Sequence, residues 1–145
     1  MAQPLNTDIC VIGGGSGGLS VAAAASQMGA KTVLIEKGKM GGDCLNYGCV
    51  PSKSLISAGK VAETIRRAAQ FGIEVQEPYI NFSRIHEHIH DVIASIAPLD
   101  SVERFTALGV DIYKASAKFV SPHEVDVGGT RIAAKRFIIA TGSSP

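Results

Sequence analysis

The hydrophobic and polar pattern opens with Asp8 to Ile12, a short run of mostly β-branched apolar residues that stops at glycine and predicts a buried strand. Ser16 to Met28 follows, dominated by alanine with Leu19 and Val21, and predicts a helix ended by Gly29. Thr32 to Ile35 is a second apolar run of strand length. Residues 8 to 36 therefore form one strand, helix, strand unit of the size a right-handed parallel crossover needs. Farther on, Ser54 to Phe71 is rich in helix formers and stops at Gly72. Asn81 and Ser83 offer caps for a second long helix reaching to about Leu108, bent at Pro98 and closed by Gly109. From Val110 the period shortens. VDIYKA, AKFV, EVDV and TRIAA are alternating pieces separated by Ser-Pro and Gly-Gly turn signals, the pattern of a small antiparallel meander. RFIIA, residues 136 to 140, returns as a buried strand and runs into TGSSP. The expected class is α/β, a doubly wound parallel sheet with the meander inserted before its last strand.

Between the first strand and helix stands GGGSGG, which satisfies G-x-G-x-x-G with Gly13, Gly15 and Gly18. The three glycines suit a tight turn out of the strand, close approach of backbone to a diphosphate, and close packing of helix on sheet. The helix beginning at Ser16 would turn its unpaired N–H groups and positive dipole end toward the phosphates. Glu36, at the end of the second strand, is placed to accept hydrogen bonds from ribose hydroxyls. This context favours a Rossmann-like dinucleotide site over a merely structural glycine turn. NAD and the ADP half of FAD both present a free ribose there, so the fingerprint does not choose between them.

Composition narrows the partners. At 145 residues and 46% hydrophobic content the chain can bury one core, which predicts one domain. Its 14 basic and 13 acidic residues nearly cancel and form no long like-charge run, an argument against nucleic acid and anionic membrane. Residues 9 to 30 carry no charge, but five glycines crowd the middle of the run, and its alanine-rich remainder also argues against a membrane span. MAQPLNTD has no basic flank before the apolar segment, as a signal peptide would require, and three cysteines are too few for a disulfide framework. The cytoplasm is the expected compartment.

Two of those cysteines fall in GGDCLNYGCVPSK, residues 41 to 53. A metal site, inert thiols and a redox-active pair compete to explain Cys44 and Cys49. The redox pair is the strongest reading, since such pairs persist in reducing compartments when they are transient and catalytic. An unbroken helix would hold the two α-carbons roughly 8 Å apart, beyond the roughly 7 Å limit for a disulfide. The segment must be distorted, and Gly48 supplies the freedom. Pro51 is tolerated only in a helix's first turn, which places Cys49 near a helix start whose dipole favours a thiolate, with Lys53 on the same face.

The stretch resembles the redox motif of the FAD-dependent pyridine nucleotide-disulfide oxidoreductases, and its Pro-Ser-Lys at 51 to 53 is similar to the lipoamide dehydrogenase and mercuric reductase branch. The likeness runs from the glycine loop through ATGSSP at 140 to 145. It implies that Cys44 is the interchange thiol, that Cys49 lies against the flavin, and that Lys53 approaches the flavin's N5 edge. It implies FAD contacts at Gly13, Gly15, Ser16, Gly18, Glu36 and Lys37, then at Gly42, Asp43, Cys44 and Lys53, and finally at Ala117, Ala140, Thr141 and Gly142. In the intact enzyme electrons would pass among NAD(P)H, FAD and the Cys44–Cys49 disulfide to a dithiol, disulfide or metal-ion substrate, within a homodimer. Residues 1 to 145 then correspond to the N-terminal part of an FAD-binding domain, without the NAD(P)-binding and dimerisation domains. A nucleotide-binding module with no turnover of its own is the alternative. Two positions depart from the family pattern: Asp43 replaces the usual Thr, and Ala115 stands where Gly is frequent.

One motif points elsewhere. His86-Glu87-x-x-His90 satisfies the zinc metalloprotease pattern, but Ile93 and Ile96 stand where a metzincin carries Gly and His, and nothing marks Glu103 as a third ligand. A polar, histidine-rich helix face is the expected reading, with no metal bound. His123 lies too early in the chain to be the family's catalytic histidine.

Overall fold

The computed structural model describes residues 3–143. Strand β1 (Leu5–Ile12) lies at the middle of a six-stranded sheet, and helix α1 (Ser16–Gln27) carries the chain to β2 (Thr32–Ile35) on one side of it. Beyond β2 lies β3 (Val110–Tyr113), and on the other side of β1 lies β6 (Thr130–Ile139), all four strands parallel. β5 (Glu124–Val127) and β4 (Ala117–Ser121) extend the sheet antiparallel past β6. The order is β3-β2-β1-β6-β5-β4. Ile12 pairs with Ile35 and with Ile139, and Ile35 pairs with Tyr113, so the four parallel strands end level. The chain leaves β1 for opposite sides of the sheet, and such switch points open a crevice at the carboxyl ends of the strands.

The expected α/β architecture is present, with three local differences. VDIY is not part of the meander: it is β3 and pairs in parallel with β2. TRIAA and RFIIA are one ten-residue strand, β6, whose first half also holds β5. Lys135 and Arg136 interrupt its apolar run in sequence, yet Lys135 remains exposed on the strand and pairs with Asp8 of β1 at 2.6 Å. The helix expected to bend at Pro98 is instead broken there. α4 (Phe82–Ile96) is capped by Asn81 rather than Ser83, a 3₁₀ turn covers Ala97–Asp100, and Ser101 caps a separate α5 (Val102–Ala107). A proline without an N–H and a fresh cap three residues on favour a new start over a kink.

Alternation along the strands divides the core. Val11, Leu34 and Val110 face α1 and α5, packing on Leu19, Ala22 and Phe105. Cys10, Val33 and Ile35 face the other way, against Val125, Val127 and Ile132 of the meander. Residues 9 to 30 are thus β1, a loop and α1. No helix among the described residues is long and apolar enough to cross a membrane. α2 (Gly42–Asn46) and α3 (Cys49–Arg66) follow β2, and α3 starts earlier than its apolar pattern indicates because Pro51 sits in its first turn. α3 packs chiefly on α4 and buries none of its own residues.

Candidate functional site

Three loops meet at the carboxyl ends of β1, β2 and β6. Gly13 leaves β1 with φ +114°, and its N–H donates to the Ile35 carbonyl at 2.8 Å. A Cβ on Gly13 would stand 2.1 Å from the Ala140 carbonyl oxygen, so only glycine lets the ATG segment approach. Gly18, in α1, is pressed on the same turn: its Cβ would lie 1.8 Å from the Gly13 oxygen. The thiol loop comes from the other side. The Gly41 N–H donates to the Gly14 carbonyl at 2.9 Å, and Gly15 and Gly41 form an isolated parallel bridge.

Glu36 closes over this junction. Its carboxylate accepts from the Gly14 N–H at 2.6 Å and from the Gly38 N–H at 2.5 Å. Two clefts flank it. A narrower one of about 190 Å³ is lined by Gly13, Glu36, Lys37, Ala117 and Thr141, with Ala115 and Ser116 beside them. A wider one of about 560 Å³ is lined by Gly15, Glu36, Gly42, Asp43, Ala140, Thr141 and Gly142. Glu36 and Thr141 line both, so the two clefts adjoin. Ser16 is the first residue of α1 and is exposed, whereas Gly18 is buried and serves packing.

The adjoining clefts fit a dinucleotide. Gly15 caps α1 without any side-chain hydrogen bond, and the first turn of α1 has no acidic side chain. That leaves the N-terminus of α1 open beside the wider cleft, which suits an anion. Lys37 lines the narrower cleft and Lys39 the wider one, while glycine at 13 and 42 lets the surrounding loops close on one another.

The thiols sit where two helices fail to join. α2 ends at Asn46, Tyr47 and Gly48 break the helix, and Cys49 is the first residue of α3. A Cβ on Gly48 would stand 2.7 Å from Asp43 Oδ2, so a larger residue there displaces the Asp43 carboxylate. Pro51 occupies the third position of α3, whose N–H has no partner within the helix. Cys44 and Cys49 are both free thiols and hydrogen-bond each other. That bond raises the Cys44 pKa above its ordinary value, and desolvation and the Cys49 charge act in the same direction. The Lys53 ammonium and the Cys49 backbone N–H oppose the rise. Cys10 is different: fully buried in β1, its pKa is pushed up to about 11 by desolvation.

Cys44, Cys49 and Lys53 line neither cleft, but Asp43 links Cys44 directly to the wider one. Lys39 and Tyr47 line that cleft and escaped the sequence motifs. Their only signal was position, between Glu36 and the thiol loop and between the two cysteines. Ser116 was missed for the same reason. His86 and His90 lie side by side on α4 with ring centroids 4.3 Å apart and planes tilted by 51°, and both are exposed. Among the described residues no group of three or more metal-binding side chains comes together.

Comparison with known proteins agrees with this geometry. The pyridine nucleotide-disulphide oxidoreductase family matches residues 7–145. A mercuric reductase of Lysinibacillus sphaericus is 34% identical over 140 residues, covering 97% of this chain and 26% of the relative. A dihydrolipoyl dehydrogenase of Bacillus subtilis (strain 168) is 34% identical over 152 residues, 95% of this chain and 32% of the relative. A dihydrolipoyl dehydrogenase of Chlamydia trachomatis is 39% identical over 142 residues, 95% and 30% respectively. The chain therefore spans about a quarter to a third of the length of these curated relatives. Enzymes of this kind depend on FAD and NAD(P)H. With the glycine loop, Glu36 and the paired thiols drawn to one junction, and the family match running along nearly all of the sequence, the chain belongs to the pyridine nucleotide-disulphide oxidoreductase family.

Proposed function

We propose that this chain is the FAD-binding, thiol-bearing part of a flavoprotein disulfide oxidoreductase. The observation that carries the reading is the hydrogen-bonded seam between the Gly41 N–H and the Gly14 carbonyl, which joins the diphosphate loop to the thiol loop. Electron exchange between a flavin and a disulfide requires contact, so both sites belong in one domain. When bound, FAD supplies a two-electron carrier that NAD(P)H can reduce.

The chain's own residues divide the remaining work. Gly13, Gly15 and the start of α1 at Ser16 receive the diphosphate, while Glu36 and Lys37 flank the ribose. Gly42, Asp43, Ala117, Ala140, Thr141 and Gly142 line the rest of the two clefts. Cys44 meets the substrate, and Cys49 is the thiol nearer the cofactor. On oxidation the two thiols give up two electrons and two protons and form one disulfide. Lys53, whose charge reaches Cys44, favours the thiolates on which exchange depends.

The substrate is a disulfide or dithiol of the lipoamide kind, or a metal ion, the two classes named by the mercuric reductase and dihydrolipoyl dehydrogenase relatives. In this reading the working enzyme is a cytoplasmic homodimer, and residues 1 to 145 are the N-terminal part of its FAD-binding domain. That Cys44, Cys49 and Lys53 line neither cleft favours a second reading, a nucleotide-binding module with no turnover of its own. Incubating the chain with FAD and removing free cofactor tests the first claim: retained flavin absorbance supports it, and a colourless protein refutes it. Titrating the loaded chain with dithionite separates the two readings: a flavin in contact with the Cys44–Cys49 disulfide takes up four electrons together with it, whereas a flavin alone takes up two.

A further inference from the structure

Lys39 and Tyr47 share the wider cleft although neither belongs to the glycine fingerprint or to the thiol pair. The Lys39 Nζ stands 5.4 Å from the centroid of the Tyr47 ring, within the range at which a cation is drawn to an aromatic face. Tyr47 is 68% exposed, so the ring is no buried anchor and its contact with Lys39 is made at the mouth of the cleft. Lys39 makes no ion pair among the described residues.

Charge explains why that matters. Two carboxylates line the same cleft. Glu36 is held by the Gly14 and Gly38 N–H groups, and Asp43 lies against Gly48. A diphosphate entering beside Gly15 would meet both negative charges, and Lys39 is the one basic side chain lining this cleft among the described residues. Lys37 lines the narrower cleft instead. A lysine on a flexible stem is a point charge that loses much of its effect if it wanders into bulk water. An aromatic face that retains it at the cleft mouth reduces that loss.

Resting on the cofactor reading above, we infer that Lys39 is the cationic partner of a dinucleotide's diphosphate in this cleft and that Tyr47 is the residue that positions it. The ammonium offsets the Asp43 charge and draws the phosphates into the cleft. The contact is solvent-accessible, so it weakens as salt is raised.

Binding of adenosine, ADP and inorganic pyrophosphate to the chain, measured calorimetrically at several ionic strengths, tests this. Lys39→Gln should weaken ADP about tenfold, leave adenosine unchanged and flatten the salt dependence of ADP binding. Lys39→Arg should keep ADP affinity within about twofold, because the charge is retained. Tyr47→Leu should weaken ADP about threefold, and Tyr47→Phe, which keeps the ring, should match the parent. Circular dichroism identifies any variant that fails to fold, and the conservative member of each pair then carries the comparison. ADP affinity unchanged in Lys39→Gln overturns the inference, as does a parent chain that binds ADP no more tightly than adenosine; in both cases the nucleotide site itself survives. Pyrophosphate bound as tightly as ADP marks a free-anion site and also overturns it. A parent chain that binds neither adenosine nor ADP removes the cofactor reading, and this inference with it.

Discussion

Gly42 and Gly15 meet backbone to backbone: a Cβ on Gly42 would stand 2.6 Å from the Gly15 Cα. This contact seats the thiol loop against the diphosphate loop, and Gly42 holds it with φ +58°. Gly42→Ala would therefore add both a left-handed alanine and a collision with backbone that has no side-chain freedom to yield. The expected cost is at least about 1 kcal/mol of stability, with nucleotide affinity lowered further because the collision lands in the wider cleft. Urea unfolding and ADP titration measure the two effects, and a variant equal to the parent in both would show that the seam is dispensable.

Glu36 accepts from two backbone N–H groups at once, one in the glycine loop and one two residues past Glu36 in the chain. Glu36→Gln replaces a carboxylate with a single amide oxygen and leaves one of those donors facing an NH₂ group. A loss of about 1 to 2 kcal/mol is expected, visible as a lower denaturation midpoint without a change in the unfolding slope. Adenosine, whose ribose would share that carboxylate, should bind more weakly as well.

The thiol pair predicts a pH dependence with a definite sign. Cys44 has a raised pKa, first because of its hydrogen bond with Cys49. Its proton is held more tightly in the folded chain than in the unfolded one. The associated stability is fully present below the unfolded value of 9.0 and is lost as pH rises through the higher folded value. Cys49→Ala removes the leading cause, so alkylation of Cys44 by iodoacetamide should become faster at neutral pH and its midpoint should move down. Lys53→Met removes an opposing charge and should move the midpoint up. Opposite shifts in either variant would refute the arrangement of charges around Cys44.

Cys10 provides an internal reference. It is fully buried and its pKa is about 11, so under native conditions it should resist alkylating reagents that modify Cys49. Mass spectrometry should find it modified only after denaturation. Cys10→Ser would bury a hydroxyl in the cluster formed by Val33, Ile35 and Ile132, at a cost of about 1 to 3 kcal/mol.

Much of this architecture was legible in the one-dimensional pattern. The β1, α1, β2 unit follows from apolar runs punctuated by glycine, because burial on both faces of a parallel strand and the turn at Gly13 leave local marks. The break between Cys44 and Cys49 was legible too, since Gly48 and Pro51 restrict the backbone wherever they occur. Pairing was not. Nothing local distinguishes VDIY in the meander from VDIY as a parallel neighbour of β2, and the charges at Lys135 and Arg136 divide a strand that Asp8 of β1 helps hold together. The site shows the same division. Glycine spacing, Glu36 and the cysteine pair announce the chemistry by residue type. The place of Lys39 beside Tyr47 and the seam between the Gly41 N–H and the Gly14 carbonyl required the fold. Residue type and short-range spacing set what a segment can do, whereas which groups share a cleft depends on contacts between residues far apart in the chain, and only packing in three dimensions decides those.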